Sequence, residues 1–82
     1  MTSQELEKRM KELVAKTIGI SPEKLSLDAD FARDLDVDSM KAIEITGAIE
    51  KTFKIIVPED QIRQIRTLNQ AITLSKTLLG IK

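Results

Sequence analysis

The apolar residues of this chain fall at helical spacing in three separate stretches, and start and stop signals bracket them. In residues 3–18, Leu6, Met10, Leu13, Val14 and Ile18 form one stripe, while Glu5, Glu7, Lys8, Lys11 and Glu12 sit largely on other faces. Thr2-Ser3-Gln4-Glu5 fits a capping box, Gly19 suits the left-handed residue past a helix end, and Ser21-Pro22 prevents continuation. A second helix is expected over 39–53, with Met40, Ile43, Ile49 and Phe53 facing the core, Ile45 and Thr46 flanking them, and Lys51 and Lys54 suiting its C-terminal end. Pro58 with Glu59-Asp60 starts a short helix over 59–66, with Ile62 and Ile65 inward. Thr67-Leu68-Asn69-Gln70 is again a capping box, opening a last helix lined by Leu68, Ala71, Ile72, Leu74, Ser75 and Leu78 and ended by Gly80. The expected fold is all-α: a four-helix bundle of three longer helices, one short one and a long first loop.

That loop, residues 20–38, is longer than most connections in a compact domain, and such loops are often functional. Ile20, Leu25, Leu27, Phe31 and Leu35 are placed to pin it to the core, with a short helical turn at Pro22–Leu25. A further helix over 28–35 is the less favoured alternative. In the link Ile55-Ile56-Val57-Pro58, three β-branched residues cannot all face one core. Ile56 points outward as a partner contact, or packs under a neighbouring loop.

With 82 residues, the chain can bury one modest core, so a single domain over 1–82 is expected. It has no cysteine, which excludes disulfides and thiolate metal sites, and no metal site of another kind is expected. It has no histidine either, which excludes Ser-His-Asp and Cys-His nucleophilic sites, and a chain that is not an enzyme is expected. No apolar run approaches the ~18 residues of a membrane span, and a cytoplasmic protein is the expectation. Net charge is zero but uneven: residues 28–60 hold nine acidic and four basic residues, net −5, whereas 61–82 hold four basic and no acidic residue, net +4. The middle suits a basic partner surface. Scattered cations with only 2% aromatics make a poor nucleic-acid patch. A monomer is expected, because no apolar stripe is left once the core is assigned.

The central stretch is Asp34-Leu35-Asp36-Val37-Asp38-Ser39-Met40. Asp38 suits an N-cap, which puts Ser39 in the first turn of the second helix among amides that lack intrahelical partners. The plain reading is a helix start and nothing more. The functional one is a phosphate-bearing serine, favoured by the amide donors and the positive helix end.

This stretch resembles the Asp-Leu-Gly-x-Asp-Ser-Leu motif of acyl carrier proteins. The resemblance extends, without a gap, through Ile18-Gly19-Ile20, Phe31, Asp34-Leu35, Glu44, Glu50, Phe53, Val57-Pro58 and Ile65-x-Thr67-Leu68. It implies that Ser39, beside Asp38, carries 4′-phosphopantetheine donated from coenzyme A by a phosphopantetheinyl transferase. The thiol of that arm would hold acyl intermediates as thioesters for acyl-transferring or acyl-activating enzymes of fatty-acid, lipid or polyketide synthesis. It further implies an acyl pocket lined by Met40, Ile43, Ile49, Phe53, Ile62 and Leu68. Partner contacts would come from Asp34, Asp36, Met40, Glu44, Glu50 and Ile56. An aminoacyl or peptidyl carrier, such as the D-alanyl type, is the alternative within the same chemistry, and a helical interaction module without an arm is the alternative outside it. Two departures stand out. Asp36 replaces the usual glycine, and Lys41, Lys51, Arg63 and Arg66 make the partner side more basic than usual, which points to a specialised carrier.

Overall fold

The computed structural model describes residues 1–81. It contains α1 (Ser3–Ile18), α2 (Ser39–Phe53), a one-turn α3 (Glu59–Ile62) and α4 (Leu68–Leu79), with a 3-10 turn at Pro22–Lys24 in the first loop. The fold is the expected helical bundle of three longer helices and one short one. Among the described residues the only extended pairing is a lone antiparallel bridge between Asp30 and Thr67.

Local chemistry sets the helix ends. The Thr2 hydroxyl accepts from Glu5 N at 3.1 Å, and the Glu5 carboxylate accepts from Thr2 N at 3.4 Å, so two otherwise unpaired donors are satisfied together. These Thr2 hydrogen bonds hold the Glu5 carboxyl below its ordinary range. At α4, Thr67 Oγ1 accepts from Gln70 N at 3.1 Å and Gln70 Oε1 accepts from Thr67 N at 3.2 Å. Gly19 and Gly80 end α1 and α4 at φ +80° and +72°. Lys54 ends α2 in the same left-handed region, at φ +56°, although it has a side chain.

α1 packs against both α2 and α4. Its Leu6, Met10 and Val14 are fully buried, as is Leu68 of α4, and Ile72 joins them. From α2 the buried residues are Ile45, Ile49 and Phe53. Met40 and Ile43, expected on that stripe, are 74% and 68% exposed instead. The expected stripe mixes two faces. At about 100° per residue, Ile43 lies roughly a third of a turn from the Ile45–Ile49–Phe53 line, so one helix cannot bury both sets against the same neighbours. As a result, apolar residues do remain outside the core, which removes the basis on which a monomer was expected. In the last helix the same kind of shift occurs: Leu78 is 37% exposed and Leu79 packs on the core in its place.

The extended link alternates as a strand would. Ile55 and Val57 are buried, and Ile56 is 83% exposed. Glu50 holds the link in place, its Oε2 accepting from Val57 N at 2.9 Å.

The first loop is tied down by its own polar groups and by the far end of the chain. Asp30 Oδ1 accepts from Ala32 N at 3.0 Å and Arg33 N at 2.9 Å, and Asp34 Oδ2 accepts from Asp30 N at 2.8 Å. Phe31 N donates to Arg66 O at 2.8 Å and Asn69 N donates to Leu27 O at 2.9 Å. No helix forms over 28–35; this pairing uses the backbone instead. It also shortens α3, expected over 59–66, because Arg66 and Thr67 must stay extended to meet the loop. Leu25, Phe31 and Val37 enter the core, and Ile20, Leu27 and Leu35 pack on its margin.

Two stability measurements follow. The Asp34 carboxyl is held below its ordinary value of 3.8, first by the Asp30 amide and then by the Arg33 guanidinium. A carboxyl depressed on folding stabilises above its unfolded value and stops doing so as pH falls through the folded one. The stability difference between the parent and Asp34→Asn is therefore largest at neutral pH and closes as pH drops below 3.8, read by thermal unfolding. Asp36 has φ +55°, a region where a side chain costs about 1–2 kcal/mol and glycine does not. Asp36→Gly is expected to raise stability by up to about 1 kcal/mol in chemical denaturation, glycine's greater unfolded-state entropy offsetting part of the gain.

Candidate functional site

Ser39 is placed by what surrounds it in sequence. Val37 is buried, and its N–H donates to Phe31 O at 2.8 Å, which fixes where the loop arrives at α2. Asp36, in its left-handed conformation, turns the chain into that position. Asp38 is the N-cap, with extended backbone at φ −85° and ψ −178°, and its Oδ1 accepts from Lys41 N at 2.8 Å. Ser39 is thus the first helical residue, and it is exposed. Geometry leaves the Ser39 and Met40 amides without intrahelical acceptors, and the positive end of a four-turn helix lies behind them.

Beside Ser39 opens a cleft of about 700 Å³ between the loop, α2 and α3. Its apolar lining includes Phe31, Val37, Ala42, Ile43, Ile62 and Ile65. Of the residues named from sequence for an acyl pocket, only Ile43 and Ile62 are here. Ile49, Phe53 and Leu68 are buried in the core behind it, and Met40 projects into solvent outside it. The cleft roles of Phe31, Val37, Ala42 and Ile65 are not among the sequence expectations. Phe31 and Ile65 carry a signal only as core residues, and Val37 only as the apolar member between two aspartates.

The residues named for partner contact are also divided. Met40, Glu44 and Ile56 are exposed, as are Asp34 and Asp36. Glu44 Oε2 accepts from Lys41 Nζ at 3.2 Å, so part of its charge is met locally. Asp34 and Glu50 direct carboxylate oxygens onto the chain's own backbone, at Asp30 N and Val57 N. Glu50 is partly buried in doing so. These two acids serve the fold whatever else they touch.

The arrangement fits a phosphopantetheine on Ser39. A phosphodiester needs an exposed hydroxyl, amide donors and no crowding, and the helix start supplies all three. The apolar cleft lies next to the point of attachment. Among the described residues no group of His, Cys, Asp or Glu side chains could hold a metal ion.

Comparison with known proteins agrees with the geometry. The family described as "Phosphopantetheine attachment site" matches residues 8–74. An acyl carrier protein of Petrotoga mobilis is 32% identical over 81 residues, covering 99% of this chain and 95% of that protein. An acyl carrier protein of Guillardia theta is 35% identical over 72 residues, covering 88% of this chain and 89% of its own. With a family match over residues 8–74 and two acyl carrier proteins matched over most of both lengths, the chain belongs to the acyl carrier proteins.

Proposed function

We propose that this chain, as a single carrier domain over residues 1–82, holds acyl intermediates on a 4′-phosphopantetheine arm joined to Ser39. The observation that carries the reading is the exposed Ser39 hydroxyl at the start of α2, next to a cleft with an apolar floor. When bound, the arm supplies a thiol that takes an acyl group as a thioester. The chain's own part is to present and to shelter. Asp38 orders the first turn by capping Lys41 N, which leaves the Ser39 and Met40 amides at the same helix end as the serine. Asp38 is engaged on the Lys41 amide, and no base of the chain is needed: the serine is the acceptor in a reaction run by the transferase. In that reaction its oxygen forms the new bond to phosphorus, the bond to the adenosine bisphosphate leaving group of coenzyme A breaks, and the hydroxyl proton leaves to the transferase or to water.

Family membership implies the partners by class, a phosphopantetheinyl transferase and acyl-handling enzymes. Among the described residues no helix is long and apolar enough to cross a membrane. The reading places the protein in the cytoplasm with those enzymes. It is further read as a specialised carrier. Lys41 neutralises Glu44, Glu50 and Asp34 are engaged with backbone, and Arg63 and Arg66 stand across the cleft, so the surface offers a basic partner less than a uniformly acidic α2 would. Met40, Ile43 and Ile56 leave a larger share of recognition to apolar contact.

The test is the intact mass after incubation with a broad-specificity transferase and coenzyme A. The parent is expected to gain one phosphopantetheine and Ser39→Ala none, with unchanged circular dichroism because the residue is exposed. A gain in the variant would move the attachment site, and no gain in the folded parent would overturn the carrier reading.

A further inference from the structure

Gly47 stands in the interior of α2, where glycine is the least favourable residue after proline. Nothing inside the molecule asks for it. A Cβ added there meets no atom within 4 Å, the backbone is not in the left-handed region, and the residue is exposed. At about 100° per residue, Gly47 centres an outward arc that also holds Met40, Ile43, Glu44 and Lys51, opposite the buried Ile45–Ile49–Phe53 line. All five are exposed. A glycine in the middle of such a face lets the backbone of a second helix come close, a use for it that the isolated chain does not supply.

The charges on this face say which helix fits it. Glu44 lies three residues before Gly47 and Lys51 four after it, and helical geometry puts both on the same side of the Gly47 line. In an antiparallel pair with its two-fold axis between Gly47 and Ala48, Glu44 of each copy comes level with Lys51 of the other. The face is therefore complementary to itself. Lys51 has no ion pair or side-chain hydrogen bond among the described residues, and Glu44 is held only by Lys41 at 3.2 Å, an exposed contact that can be shared. Antiparallel alignment also sets the positive end of each α2 beside the negative end of the other.

We propose that the outward face of α2 docks a second copy of this chain, the two helices crossing antiparallel at Gly47. The Glu44–Lys51 pair then forms twice, and the C-terminal half of each α2 covers Met40 and Ile43 of the other. Met40 directly follows Ser39, so the paired form also covers one flank of the attachment site. Two 15-residue helices bury less than a standard stable interface, so the association is weak and depends on concentration.

The experiment is sedimentation equilibrium of the full chain from about 20 µM to about 1 mM at low salt, where weak self-association shows by mass action. The average mass is expected to rise with concentration from that of one chain toward twice that. Gly47→Gln puts a better helix former on an open surface, so it is expected to raise the unfolding temperature while weakening association about tenfold. Glu44→Lys and Lys51→Glu are each expected to weaken it by about the same factor, because each opposes like charges twice. The charge swap Glu44→Lys/Lys51→Glu is expected to restore it, which pairing with a different protein would not do. A mass that stays at one chain at the highest concentration overturns the proposal, as does association unchanged in Gly47→Gln or not restored by the swap. A constant mass together with slower phosphopantetheine transfer to Gly47→Gln assigns the face to the transferase instead, which overturns the second copy and leaves the carrier reading intact.

Discussion

The clasp between the first loop and the start of α4 is the contact on which the rest of the site depends. Phe31 N on Arg66 O and Asn69 N on Leu27 O join segments far apart in sequence, with the Asp30–Thr67 bridge between them. Closing so long a loop costs chain entropy that grows only slowly with length, so a few well-made hydrogen bonds and the burial of Leu25, Phe31 and Val37 suffice to offset it. Once the loop is seated, Val37 is buried, Ser39 faces out at the start of α2, and α3 is held to a single turn because its following residues are extended. The cleft is the space these constraints leave between loop, α2 and α3.

Polar side chains in this molecule act largely on backbone. Thr2 with Glu5 and Thr67 with Gln70 close helix starts, Asp38 closes another, Asp30 and Asp34 fold the loop onto itself, and Glu50 holds the link to α3. In a chain of this size the core alone is a modest source of stability, and satisfying otherwise unpaired amides near it removes penalties that the core would have to cover. This economy bears on recognition. An acid engaged with an amide keeps its charge but loses freedom to rearrange for a partner, so the acidic composition of residues 28–60 overstates what a partner can reach.

Helix boundaries were legible in the sequence to the residue for α1 and α2, because their signals are local: a capping side chain within three residues and, for α1, a glycine at the end. The face of α2 was not. Both the Met40–Ile43 pair and the Ile45–Ile49–Phe53 line are apolar, and spacing alone cannot say which set meets α1. Only the position of α1, set by Leu6, Met10 and Val14, decides it. For the same reason only Ile43 and Ile62, of the six residues expected at an acyl pocket, line the cleft. Ile49, Phe53 and Leu68 are apolar and correctly assigned to the interior, but whether an interior residue borders a cleft depends on which neighbour stops short of it.

The sequence by itself determined the helical class, the capping of each long helix, the serine at the start of α2 and the family to which that serine belongs, since each rests on neighbours along the chain. The tertiary structure decided the length of α3, the outward turn of Met40 and Ile43, the employment of Asp34 and Glu50 on backbone, and the company of Arg63 and Arg66 with Ser39 around one cleft. The physical reason is the same throughout. Caps and turns are satisfied within a few residues, whereas burial and charge pairing are settled by groups that meet only after the loop has closed onto α4.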